Sequence, residues 1–227
     1  MAYNYLDLTN EVITRFNEVP LTSSGFGSSR GVQTQCKTSV NEAIRYIDSK
    51  EYNWPFNHAL ATETLVIGQT RYTIPATAKH VNYETFRLAK DDALGSNGNS
   101  LKILDYNEYV DRFIDQEDDP NQGEIPRYVF RTPDNNFGLH PYPNKAYTLR
   151  YEYYNYTTDL SGASDAPRIP EQFRNVIVDG AASYVYQYRG EVQLYAATFA
   201  RFEEGIKQMQ SILLNRFDYV RSTVIVK

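Results

Sequence analysis

A single cysteine, Cys36, in 227 residues excludes an internal disulfide framework and any metal site built from several thiolates, and it fits a chain made in a reducing cytoplasm. Histidine is nearly as sparse. His58, His80 and His140 fall in three separate strand or turn contexts, none with a second ligand at metal-binding spacing. Basic residues are outnumbered, 23 Lys and Arg against 28 Asp and Glu, and a net charge of −5 argues against a broad surface that grips phosphate backbones. Long apolar runs are missing too, so no bilayer-spanning segment is expected. The start, MAYNYLDLTNEV, carries Asp7 and Glu11 instead of the basic and apolar regions of a signal peptide, and the chain is expected to be soluble where it is made.

The common catalytic signatures are also absent. There is no Walker loop, no Gly-x-Ser-x-Gly elbow and no dinucleotide fingerprint, and the Gly/Ser-rich stretch at 25–31 follows a helix instead of the strand a phosphate loop requires. The acidic run DQEDDPNQGE, residues 115–124, alternates Asp115, Glu117, Asp119 and Asn121 as oxygen ligands could. Counted from Asp115 as an EF-hand, however, it places Pro120 where the sharp turn needs glycine. A solvated acidic loop is the expectation, with no cofactor, no metal and no enzymatic activity. A metal-assisted hydrolase would require Asp115, Glu117 or Asp119 to meet a histidine in space.

Tyrosine, by contrast, is abundant: 20 residues, six of them in FGLHPYPNKAYTLRYEYYNY at 137–156. Side chains on a strand alternate between faces. After a turn at Pro141 to Lys145, Tyr147, Leu149, Tyr151 and Tyr153 fall on one side, and Thr148, Arg150, Glu152 and Tyr154 on the other. This is the pattern of an antiparallel strand with one face on a core, so most of these rings are expected inside. Tyr154 and Tyr156 remain on the polar face. An aromatic-rich module for carbohydrate or another surface, with Tyr151 to Tyr156 as its platform, is the alternative reading.

Helical periods occupy both ends of the chain. Tyr5, Leu8, Val12, Phe16 and Val19 mark one face of a first helix over 4–18. PLTSSGFGSSRG, 20–31, reads as a flexible connection. A second helix from Val32 turns Cys36, Val40, Ala43, Ile44 and Ile47 inward and Lys37, Asn41, Glu42, Arg45 and Asp48 outward. Pro170 and Glu171 open a third helix that Gly190 ends. The fourth runs from Glu191 to Asn215 with a heptad seam of Val192, Tyr195, Phe199, Phe202, Ile206, Met209 and Leu213.

The middle is strand-like. A two-residue type II′ hairpin is predicted around Gly68 and Gln69, and a longer hairpin between Val81–Leu88 and Leu101–Leu104. A short helix is expected after Asp105, capped with Glu108, and a strand over Tyr128–Arg131. The expected fold is α+β: a discontinuous four-helix bundle from residues 1–53 and 168–216, an inserted antiparallel β domain over 54–167, and an extended C-terminal tail, 217–227. That tail, with Phe217, Tyr219, Val220, Val224, Ile225 and Val226, is too apolar for a solvated terminus, so it is expected to be covered, either as an edge strand on its own β domain or by a partner chain.

In order, NYLDLTNEVITRFNEVPLTS, SVNEAIRYI, EYNWPF, GQTRYTIP, IPRYVF, GLHPYPNKAYTLRYEYY and RIPEQFRNVIVDGAA resemble the head-to-tail adaptors of tailed bacteriophages, particularly tail tubular protein A and related neck proteins. The resemblance implies a helical bundle with an inserted β domain, assembled as a homo-oligomeric ring of twelve subunits beneath the portal protein. Such a ring would join the capsid to the tail nozzle and continue the DNA channel, with DNA only passing through. It also implies contacts between ring neighbours, for which Tyr154 and Tyr156 are the candidates, a tail at Phe217, Tyr219, Val220, Val224, Ile225 and Val226 that binds the portal or a neighbouring subunit, and a place in the virion neck after synthesis in the cytoplasm of the bacterial host.

Overall fold

The computed structural model describes residues 3–89, 100–117, 119 and 122–214. It is a mixed α+β protein with two compact units. The helical unit takes the chain up to Asn57 and again from Thr157, and the β unit takes His58–Tyr156. The tail residues Phe217, Tyr219, Val220, Val224, Ile225 and Val226 lie outside the described residues.

The helical unit contains α1 (Tyr5–Arg15), α2 (Val32–Lys50), α4 (Arg174–Arg189) and α5 (Val192–Leu213). Asn4 caps α1 by accepting the Asp7 N–H at 2.8 Å. The first N–H groups of a helix have no partner within it. Those of Tyr5 and Leu6 donate to the carbonyls of Asp165 and Ala163 at 2.7 and 3.0 Å, which ties the start of α1 to a segment some 160 residues later. The α2 side chain Asn41 holds the same returning segment, accepting from the Leu160 N–H at 3.0 Å and donating to its carbonyl at 2.9 Å.

Packing then closes around α4, which lies against α1, α2 and α5. Leu8, Val12, Ile44, Ile47, Ile177, Val185, Phe202 and Met209 are buried in one core. The helices come close where α4 has no side chain. A Cβ on Gly180 would stand 2.6 Å from the Phe202 ring and 2.9 Å from the Ala43 Cβ. At the other end of α4, Gly190 adopts φ +75, the left-handed cap conformation that glycine reaches without strain. Pro170 precedes a short 3-10 turn, Glu171–Phe173, instead of occupying the first position of α4.

Several outward and loop assignments differ from the sequence reading. Asn41 and Asp48 are buried, because each serves backbone or amide groups: Asp48 accepts from the Asn57 side chain at 2.8 Å. Residues 20–31 carry a core side chain, Phe26, packed edge-on against Tyr5 at 5.0 Å. The segment is anchored by Asn10, which bonds both backbone groups of Leu21. The α5 seam holds at Phe202, Ile206 and Met209, whereas Val192 is 72 % exposed. Val19, expected on the buried face of α1, lies beyond that helix and is exposed.

The β unit contains β1 (His58–Thr64), β2 (Arg71–Tyr72), β3 (Ala78–Leu88), β4 (Lys102–Ile103), α3 (Tyr106–Phe113), β5 (Tyr128–Arg131), β6 (Phe137–His140) and β7 (Thr148–Asn155). One sheet has the order β1-β7-β3 and the other β2-β6-β5-β4. All pairs are antiparallel except β4 with β5. The predicted hairpin over 63–75 does not form: β1 pairs with β7, and β2 pairs with β6 in the other sheet. The intervening turn runs Val66–Gln69 with Gly68 third, at φ +77, which is where a type II turn requires it. Of the longer hairpin the described residues show an antiparallel bridge of Arg87 to Ser100 and the Leu101 N–H donating to the Phe86 carbonyl at 2.8 Å, after which β4 pairs with β5 instead of continuing along β3.

Between the sheets the rings stack. Tyr83 lies on Phe86 at 5.3 Å, Phe86 on Tyr151 at 4.5 Å, Tyr151 edge-on to Phe137 at 5.4 Å, and Phe137 on Tyr72 at 5.4 Å. Tyr147, Leu149 and Tyr151 are fully buried, as their alternation requires. On the outer face of the second sheet the Phe130 ring lies over Gly138, directly across the ladder. A Cβ there would come within 2.1 Å of the ring. The helix α3, capped by Asp105 accepting from the Asn107 N–H at 2.9 Å, covers that face by stacking Tyr109 on Phe130 at 3.9 Å.

Candidate interaction surfaces

Several residues considered for chemistry have structural partners. The Cys36 thiol is buried, and burial pushes its pKa up to about 11, which removes the thiolate a nucleophile needs. Glu117 receives Arg71 through two guanidinium nitrogens at 2.9 and 3.1 Å and the Tyr109 hydroxyl at 3.1 Å. Asp115 is exposed, and Asn121 lies outside the described residues. Among the described residues, no three His, Cys, Asp or Glu side chains are grouped to hold a metal ion. His140 stacks on Phe113 at 4.1 Å, while burial holds its pKa below the ordinary imidazole value.

The other two histidines meet on the open face of the β1-β7-β3 sheet, where Tyr154 sits between them. The ring centroids of His58 and His80 lie 5.7 and 6.5 Å from that of Tyr154. Glu152, two residues back on the same face, lies 3.3 Å from His58 and 3.5 Å from Arg87. Exposed Leu60 stands opposite Glu152 on β1, so the face mixes charge, ring and aliphatic groups. Tyr156 follows β7 and is 55 % exposed; its backbone N–H donates to the Thr77 carbonyl at 2.9 Å.

Tyr156 also lines a cleft of about 230 Å³ whose other polar walls are Lys79, His80, Arg131 and Asn135 and whose apolar walls include Ile74, Val81 and Tyr83. Tyr154 and Tyr156 are thus joined through His80, which touches the first ring and lines the cleft of the second. Burial, with the Arg131 guanidinium adding to it, holds His80 below its ordinary pKa. The cleft escaped the sequence reading because Lys79 and Arg131 stand 52 positions apart and neither belongs to a charge run. A second set missed was the exposed apolar group Tyr188, Val192 and Leu194 at the turn from α4 to α5. The signal for it was the polar spacing around Val192, which departs from a fully covered seam.

A surface of this kind, bearing rings and paired charges, suits protein association. The sequence matches the SU10 adaptor protein family over residues 3–226, spanning both units. The chain belongs to that family. It is therefore a bacteriophage adaptor protein, a structural component of the virion, whose family implies contacts with other phage head and tail proteins. No curated protein matches the sequence. No helix among the described residues of this adaptor is long and apolar enough to cross a membrane.

Proposed function

We propose that this adaptor acts between head and tail as a closed ring of twelve copies beneath the portal, in the manner of tail tubular protein A, joining the capsid to the tail nozzle. Family membership across nearly the whole chain carries this reading. In it, α1, α2, α4 and α5 act as one bundle within the ring, and the β unit is an insertion in that bundle. DNA passes along the channel without being gripped, in keeping with a net charge of −5, since a cationic lining would retain it. The adaptor catalyses no reaction and needs no cofactor. Tyr154 and Tyr156 belong to the contact between neighbouring copies, where tyrosine buries a ring and keeps a polar tip in water. The tail residues Phe217, Tyr219, Val220, Val224, Ile225 and Val226 attach the adaptor to the portal or to a neighbour.

Electron microscopy of the purified protein mixed with the portal of the same virus tests the reading, and a ring capping the portal is expected. Free portal beside dispersed adaptor at high micromolar concentration would overturn it. Deleting residues 218–227 is expected to abolish co-sedimentation with DNA-filled heads while leaving the circular dichroism melt nearly unchanged. Normal attachment of the truncated protein would remove the tail from the proposal.

A further inference from the structure

The strands that end the two sheets are not finished alike. β2 and β4 are two residues long, and β3 breaks register between Ala78 and His80 and again between Asn82 and Arg87. Shortness and irregularity are how proteins blunt an edge against further pairing. β1 has neither. It keeps one register with β7 through seven consecutive pairs, and its sequence, HALATET, holds no proline, glycine or lysine. The Leu65 N–H donates to the Tyr147 carbonyl at 2.7 Å, which sets the phase of this antiparallel ladder. Ala59, Ala61 and Glu63 bond to β7, and the N–H and C=O groups of Leu60, Thr62 and Thr64 point away from it. Among the described residues no backbone hydrogen bond takes those groups up. Leu60, Thr62 and Thr64 are exposed, and exposed Val66 and Ile67 follow the strand.

We infer that the outer edge of β1 accepts a strand from a second copy of this chain, and that the strand is the tail segment 223–226. The inference rests on the reading above in which the tail attaches the adaptor, and it assigns that attachment to a neighbouring copy instead of the portal. An added strand satisfies the outward main-chain groups of Leu60, Thr62 and Thr64, while its side chains alternate between the two faces of the sheet. The segment suits both faces. Thr223 and Ile225 form one row and Val224 and Val226 the other, all of them β-branched, so neither face receives a charge. One row would lie beside Ala59 and Ala61, which offer single methyl groups on the inner side of β1, and the other beside exposed Leu60. From Leu214 to Thr223 the chain can extend roughly 30 Å, a reach that lets the segment act on a different copy. Neighbours in a closed ring meet through two different patches, and a tail on one copy with a bare edge on the next provides both.

Cysteine pairing in the complex with portal tests the inference. One chain carries Thr62→Cys, and a second carries Val224→Cys, Ile225→Cys or Val226→Cys in turn; the native Cys36 is buried and stays out of the reaction. The two chains are mixed in equal parts with portal, oxidised mildly and run on a non-reducing gel. Disulfide-linked pairs are expected to follow the strand period, forming at Val224 and Val226 at least about fivefold more than at Ile225, or the reverse. No link at any of the three, or equal linkage at all three, would overturn the assignment while leaving the ring intact. So would a link that forms only when both cysteines are placed in one chain, which would put the tail on its own β1. Thr62→Pro removes one outward donor and spares the bonds to β7, and Thr62→Lys blunts the same edge without fixing the backbone. By native mass spectrometry each is expected to need at least about tenfold more protein than the unmodified chain to load the portal, whereas Thr62→Val should load as the unmodified chain does. Normal loading by both the proline and the lysine variant would remove the edge from assembly. Absence of multi-copy assembly by the unmodified chain would overturn the ring reading itself, and this inference with it.

Discussion

The two units solve close packing in different ways. In the helical unit, small residues let backbones approach: Gly180 on α4 admits the Phe202 ring and Ala43, and the tie between distant segments is made by a buried amide, Asn41. In the β unit the sheets are held apart by rings, from Tyr83 through Phe86, Tyr151 and Phe137 to Tyr72, and rings lie close over glycines at Gly138, under Phe130, and at Gly123, beside Tyr142. A helix surface can be flattened by glycine without losing its internal bonds, whereas facing sheets leave a gap of about 10 Å that only large side chains fill. Tyr72, Phe86, Phe137, Tyr147 and Tyr151 fill that gap in the core of the β unit.

The largest expected effect lies in the stack. Phe86→Ala removes the ring shared by Tyr83, Phe137 and Tyr151 and should destabilise the β unit by about 4 kcal/mol, measured by urea unfolding followed through the near-ultraviolet dichroism of the tyrosines. A loss under about 1 kcal/mol would show that the rings are not what separates the sheets. Next comes the contrast between the glycines. Gly138→Ala should cost about 3 kcal/mol, since its Cβ would overlap the Phe130 ring. Gly180→Ala also meets a ring, but alanine recovers about 1 kcal/mol of helix propensity, so a net loss of about 1–2 kcal/mol is expected. Equal losses at the two positions would erase the distinction drawn here. Trp54, the only tryptophan, is buried in the helical unit and reports the second of these melts by fluorescence.

Comparable in size is Asn41→Ala, which leaves the N–H and carbonyl of Leu160 without this partner and should lower stability by about 1–2 kcal/mol in the same fluorescence assay. Asn41→Asp keeps the acceptor and should lose less. The smallest difference is in pH response. All three histidines belong to the β unit, and burial holds His80 and His140 below the ordinary value of 6.5. Above that pH both states carry neutral rings and stability is full. As pH falls below it, the unfolded chain takes up protons that the folded rings resist, so the β unit loses stability. Between pH 7.5 and 5.5 the tyrosine dichroism melt should move down, and the H80Q/H140Q variant should flatten that slope. A slope unchanged in the variant would place the acid response elsewhere.

Local period served the two units unequally. Helix α2 begins at Val32 as its pattern indicates, α3 follows its Asp105 cap, and the β5 boundaries coincide with the predicted Tyr128–Arg131. The alternation of Tyr147, Leu149 and Tyr151 identified the inward face of β7. Strand partners were a different matter. Turn chemistry at Gly68 suggested a neighbour pairing that the protein does not use, because β1 is drawn to β7 and β2 to β6 by the burial of their inward residues in two sheets. The three-residue irregularity between Asn82 and Arg87 in β3, where the Thr85 hydroxyl accepts the Glu152 N–H at 2.9 Å, has no counterpart in the alternation.

What the amino-acid sequence determined by itself is local in origin: which segments are helix or strand, which face of each is apolar, the acidic balance, and the order of motifs by which the adaptor family is recognised. These follow from side-chain period and backbone preference, which act over a few residues. The tertiary structure alone decided which strands pair and which outward-looking polar residues are buried, as Asn41 and Asp48 are. It alone brought Lys79, His80, Arg131 and Tyr156 to one cleft. Such juxtapositions depend on contacts between residues 50 to 120 positions apart, and their chain-entropy cost is offset only when the core around each of them closes.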